Sequence, residues 1–209
     1  MTRLFLVRHG ATGLNGDAVY RGRAKVPLSA RGLAQARALG ARFASEAATK
    51  VLSSPLDRAL ETARAIGDGC RLPVDVCDDL TDIDCGEWEG LSDARVKELY
   101  PDLRRMWLRT PHLVSLPGGE SLEDVRRRAA RVRGAVENAG GSIVLVSHRV
   151  VHKVLICLLL GLDLSRFWDI RLDLAGITVF DCGEARRVLV AHNDTCHLAR
   201  EQHPGRGDL

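Results

Sequence analysis

The chain has 209 residues, 45% hydrophobic and 27% charged, the balance of a soluble globular protein with a core of useful size. Its 30 Lys and Arg against 27 Asp and Glu leave a net charge of +3, spread along the chain, which argues against nucleic acid as a partner. The longest apolar run, Val154 to Leu162, is far short of the roughly 20 residues that span a bilayer, so no membrane contact is expected.

The first predicted strand, Leu4 to Val7, runs into Arg8-His9-Gly10, and Gly10 lets the backbone turn and a ligand approach closely. A helical pattern follows Ser29, a suitable N-cap. A strand over Val51 to Ser53 ends at Ser54-Pro55, with Pro55 placed in the first turn of the next helix, which carries Arg58. Then come a strand over Val74 to Cys77, a turn at Gly118 and Gly119, and a helix capped by Ser121. That helix holds the basic run Arg126 to Arg133, read as a solvated face. A strand over Ile143 to Ser147 leads through His148 and Arg149 into an apolar helix, and strands over Thr178 to Asp181 and Val188 to Ala191 close the pattern.

No repeat, low-complexity tract or linker interrupts this order, so residues 1–209 are expected to form one domain. Alternating strands and helices predict an α/β fold, a three-layer α/β/α arrangement whose central sheet is mostly parallel and covered by helices on both faces. The six cysteines show no C-x-x-C pair and several lie in apolar runs, which fits a reducing, cytoplasmic setting. The N-terminal apolar run is too short for a secretion signal.

Ligands of such sheets bind beyond the carboxyl ends of the strands. If the strands ending at Arg8-His9, Ser54 and His148 are parallel neighbours, two histidines and two arginines meet on one rim. Arg8 and Arg58 would each offer a planar fork of donors to a phosphate. A neutral His9 among them is a nucleophile for phosphorus, and its pKa should be lowered by the arginines. His148 would donate to the non-bridging oxygens as charge shifts.

The ordered set "LVRHGAT" followed by Asn15, "SSPLDRALETA", "DIDCGEWEG", "PGGES" and "VSHR" resembles the histidine phosphatase superfamily from Met1 to about Leu198. The best-known branches of that family are cofactor-dependent phosphoglycerate mutases and small phosphomonoesterases. The resemblance implies a phosphorylated His9, phosphate binding by Arg8, Arg58 and His148, and a further polar contact from Asn15.

Two positions depart from the family pattern. The proton donor is usually glutamate, and here "LTDIDCGEWEG" places Asp82 there, with Asp84 and Glu87 as fallbacks. Arg149 stands where the family commonly has glycine, and either adds a cation beside the pocket or turns outward.

"RTPHLVSLPGGES", "SRFWDI" and "NDTCHL" are similar to the metal-independent phosphoserine phosphatases. That likeness assigns Arg21 to a substrate carboxylate and His197 to an assisting contact, while Cys85 replaces a histidine near the substrate. Neither His148 with His152, four residues apart, nor the "HNDTCH" cluster has the ligand set of a metal site, so no metal or cofactor is expected. Trp88, Trp107 and Trp168 are read as packing residues.

The stretch from Leu91 to Gly119 is short for a mutase insertion. The expected activity is therefore a metal-independent phosphomonoesterase acting through a phosphohistidine. Phosphoglycerate mutase and an inactive phosphate-binding module are the alternatives. Phosphoserine, phosphoglycerate, a sugar phosphate and ribazole phosphate stay open as substrates, and the relatives leave room for a homodimer.

Overall fold

The computed structural model describes residues 1–13 and 19–199. Six strands form one sheet: β1 (Thr2–Arg8), β2 (Lys50–Ser53), β3 (Val74–Val76), β4 (Gly141–Ser147), β5 (Ile177–Cys182) and β6 (Arg187–Asp194). Their spatial order is β3-β2-β4-β1-β5-β6. The β1–β4, β2–β4 and β2–β3 pairs are parallel, while β5 runs antiparallel to both β1 and β6.

The described helices are α1 (Ala30–Phe43), α2 (Asp57–Cys70), α3 (Asp93–Leu99), α4 (Pro101–Arg109), α5 (Leu122–Val136) and α6 (Arg149–Leu160). Alternation along each strand sends side chains to two faces. Phe5, Val7, Val144 and Val146 join Leu39, Phe43, Ala63 and Ile66 of α1 and α2 in one core layer. Leu4, Leu6, Ile143 and Leu145 join Val125, Ala129, Val151 and Leu155 of α5 and α6 in the other. The three-layer α/β/α arrangement is therefore the one read from the sequence.

Ser29 caps α1 by accepting from Gly32 N, and Ser121 caps α5 in a reciprocal capping box with Asp124. Three local readings need correction. Pro55 lies ahead of α2, whose N-cap is Leu56, so it leads the chain toward the helix without entering it. Gly10 has no left-handed backbone; glycine is required because a Cβ there would meet Gly32 O of α1 at 2.8 Å. The basic run of α5 is solvated at Arg126, Arg127 and Arg131, but Arg128 is buried.

The register brings the functional ends together. Arg8 of β1 lies beside Ser147 of β4, and Ser53 of β2 beside Val146, so three carboxyl ends share one rim. Among the described residues no helix is long and apolar enough to cross a membrane.

Candidate active site

His9 follows directly on β1 and is held from both sides: its N–H donates to Ser147 O of β4 at 3.0 Å, and its carbonyl accepts from Ala175 N, in the turn ahead of β5, at 3.2 Å. Nδ1 of His9 is 2.7 Å from Gly10 O. A carbonyl can only accept, so Nδ1 carries the hydrogen and Nε2 keeps its lone pair. Burial, followed by the charge of Arg58, the neighbouring His148 and then Arg8, holds the His9 pKa well below the usual histidine value. This imidazole is a neutral base at physiological pH.

Arg8 is buried and donates from Nη1 to Leu172 O at 2.7 Å. Arg58, in the first turn of α2, donates to the carbonyls of Ala24 and Gly22 at 3.0 and 2.8 Å and meets Asp82 Oδ2 at 3.2 Å. One turn later, Thr62 Oγ1 donates to Arg58 O and accepts from Gly10 N, which couples α2 to the loop after β1.

His148 is the N-cap residue of α6, and its ring centroid lies 5.2 Å from that of His9. Nε2 of His148 is 2.7 Å from Ser54 Oγ, and Nδ1 is 3.6 Å from Asp82 Oδ2. Burial, then Arg58, lowers its pKa well below the ordinary value.

The structure separates the three candidate acids. Asp82 lines the same cavity as Arg8, His9 and Arg58. Asp84 turns to Arg23 and to Gly86 N, and Glu87 is exposed and accepts from the Tyr100 hydroxyl at 2.6 Å. Neither Asp84 nor Glu87 lines the cavity.

Arg21 and Arg149 both lie on the cavity wall. The Arg149 guanidinium is 5.8 Å from the Trp168 ring centroid, and Arg21 donates to Thr12 Oγ1 at 3.3 Å. His197 is not brought into the cavity. It lies in the turn after β6, two strands from β1, where the following Leu198 is anchored in the core beside α1. Asn15 lies outside the described residues.

Several wall residues escaped the sequence reading. Trp107 and Trp168 pack edge to face and are joined by a bond from Trp168 Nε1 to Trp107 O at 2.7 Å. They do pack, as expected, but they also face the cavity. Tyr20, Asp93 and Arg104 form a fixed polar group on the same wall, with Arg104 bidentate to Asp93 at 3.0 and 2.6 Å. Ser92 as N-cap and Pro101 at the start of α4 were the signals for the helices that carry them. Cys85 also lines the cavity, and burial together with Asp82 pushes its thiol pKa up, so it borders that space as an uncharged group.

The arrangement suits attack on a small dianion: a neutral imidazole, two fixed guanidiniums and a carboxyl group border one space, and the His148 ring, fully buried and not itself on the cavity wall, lies 5.2 Å from that of His9. Residues 4–195 match the model of the histidine phosphatase superfamily, branch 1. The chain is 38% identical to phosphoserine phosphatase 1 of Hydrogenobacter thermophilus over 95% of both chains. It is 31% identical to the adenosylcobalamin/alpha-ribazole phosphatase of Escherichia coli over 82% of this chain and 85% of that one. The solved structure of mycobacterial glucosyl-3-phosphoglycerate phosphatase superposes with a TM-score of 0.84 and 27% identity, covering 92% of this chain and 99% of the other. The chain thus belongs to the histidine phosphatase superfamily and is a phosphoric monoester hydrolase.

Proposed function

We propose that the protein hydrolyses a small phosphorylated metabolite in two phosphoryl transfers through His9, without a metal ion. His9 Nε2 attacks phosphorus, the bond from phosphorus to the ester oxygen breaks, and Asp82 gives that oxygen a proton, releasing an alcohol. Water then attacks the phosphohistidine while Asp82 takes its proton; the P–N bond breaks, freeing His9 and inorganic phosphate. Arg8, Arg58 and His148 hold the non-bridging oxygens in both steps. A phosphate dianion on Arg58 competes for the guanidinium that Asp82 meets at 3.2 Å, which frees the carboxyl group to turn to the ester oxygen.

The observation that carries this reading is the tautomer of His9: with Nδ1 bonded to Gly10 O, the nitrogen left for chemistry is Nε2. The named relatives support it, since phosphoserine, ribazole phosphate and glucosyl-3-phosphoglycerate are all phosphomonoesters. Arg21 and Arg149 on the cavity wall fit an alcohol that carries its own acidic group. Asn15 is assigned a further polar contact to substrate, and His197 none in the cavity.

The test is turnover of p-nitrophenyl phosphate in EDTA, followed by a panel of phosphomonoesters ranked by kcat/KM. Brief exposure to substrate should leave an acid-labile phosphoenzyme that disappears in His9→Ala. Asp82→Asn should lower kcat on an alkyl phosphate by about 100- to 10,000-fold and spare p-nitrophenyl phosphate, whose leaving group needs no proton. Activity only with 2,3-bisphosphoglycerate present would indicate a mutase, and absence of turnover with phosphate binding retained would indicate a regulatory module. Either outcome overturns the proposal.

A further inference from the structure

Asp82 sits in an irregular loop between β3 and α3, a poor support for a group that must place a proton within hydrogen-bond reach. The loop is nevertheless gripped on both sides of Asp82. Arg128 of α5, buried in spite of its charge, donates from Nη1 to the carbonyls of Asp79 and Thr81, at 2.8 and 2.5 Å. Its Nε and Nη2 meet the two oxygens of Glu120 at 3.1 and 3.2 Å. Beyond Asp82, Glu120 Oε2 accepts from Asp84 N at 3.0 Å, and Glu120 N donates to Asp84 O at 2.9 Å. Arg23 adds ion pairs to Asp84 at 3.2 Å and to Glu120 at 3.3 Å.

The backbones also touch. Glu87 N donates to Pro117 O at 2.8 Å. A Cβ on Gly86 would lie 2.1 Å from Pro117 O, and one on Gly119 would lie 2.4 Å from Asp84 O. The "PGGE" segment is therefore a dock for the acid-bearing loop, and its glycines permit the contact.

We infer that the Arg128–Glu120 pair is a positioning unit for Asp82, fixing the acid loop against the start of α5 at the distance protonation of the leaving group requires. A fully bonded guanidinium gives a rigid, planar bridge that a packed apolar pair does not. No bond joins Arg128 or Glu120 to the Asp82 carboxyl, so both act through the backbone on either side of it. The inference rests on Asp82 being the proton donor.

That origin dictates a particular kinetic signature. Glu120→Gln and Arg128→Gln should each lower kcat on an alkyl phosphate by about 10- to 100-fold, as misplacement of a catalytic group does. With p-nitrophenyl phosphate kcat should change by less than about 3-fold, because the acid is dispensable there. In the Asp82→Asn background Glu120→Gln should cost nothing more on the alkyl phosphate, since the group it positions is gone. Arg23→Gln, at a partly exposed side chain, provides a smaller selective loss if Arg128→Gln does not fold. Equal losses on both substrates, or full additivity with Asp82→Asn, would show a merely structural role and overturn the inference. If Asp82→Asn itself turns over alkyl phosphates normally, the acid assignment is what fails. A selective defect in Asp82→Asn without one in Glu120→Gln, Arg128→Gln and Arg23→Gln sinks only the positioning role.

Discussion

Ser54 is the hydrogen-bonding partner of the His148 ring, through Oγ and Nε2 at 2.7 Å. The same oxygen accepts from Leu56 N at 3.3 Å, which fixes the hydroxyl beside the ring. The other ring nitrogen, Nδ1, is the one nearer Asp82, at 3.6 Å from Oδ2. Ser54→Ala removes the partner of the His148 ring and strands a buried nitrogen, at a cost of about 1–3 kcal/mol. The expected result is a fall in kcat/KM on p-nitrophenyl phosphate of about 10- to 100-fold, with Ser54→Thr recovering much of the loss; steady-state kinetics on the two variants checks it. In the sequence, Ser54 was visible only as part of a motif, without a role. A hydroxyl's partner is set by distances across β2 and β4, which no local pattern encodes. His9, Arg8, Arg58 and His148 were legible because strand ends announce themselves as apolar runs meeting polar groups. Arg128 was not, because a buried guanidinium inside a basic helix has the same local sequence as a solvated one.

At the scale of elements, the contact between α1 and the loop after β1 is made through glycines. A Cβ on Gly32 would fall 1.9 Å from Ala11 O, an overlap that side-chain rotation cannot relieve. Gly32→Ala should therefore destabilise the protein by at least the roughly 1–3 kcal/mol typical of overpacking. Urea denaturation measures this directly, and unchanged stability would mean the helix can slide away from the loop. The six strands and the four helices α1, α2, α5 and α6 were readable from their periodicity. Helices α3 and α4 were not, for a physical reason: with seven and nine residues they bury few side chains, chiefly Val96 and Trp107. An amphipathic stripe that short has too few members to stand out. Their caps were the better evidence, and the wall of the cavity depends on them.

For the whole molecule, three buried histidines link stability to acid. Burial and nearby arginines hold His9 and His148 well below the ordinary value, and burial followed by Arg8 takes His152 from 6.5 to about 3. Each is neutral when folded, while the unfolded chain takes up protons below pH 6.5. Their neutrality costs nothing above that pH. Below it the folded state loses about 1.4 kcal/mol per pH unit for each such histidine, down to its own folded pKa. Urea unfolding at pH 7, 6 and 5 should show this decline, and His152→Leu should flatten its slope by one histidine's share. An unaltered slope would mean that His152 is protonated in the folded protein.

The place of β1 between β4 and β5 also bears on when activity can arise during synthesis. His9 precedes by more than 130 residues the strands that hold its backbone on either side. At about 5–20 residues per second, the ribosome needs roughly 10–35 s to reach β5 after β1 has been made. During that interval the chain carries His9 but not the architecture that keeps its imidazole neutral and flanked by arginines. A nascent chain cut short before Gly141 would present phosphate with a histidine like any other in water. Catalysis therefore reports completion of the sheet, and incomplete copies are silent by construction.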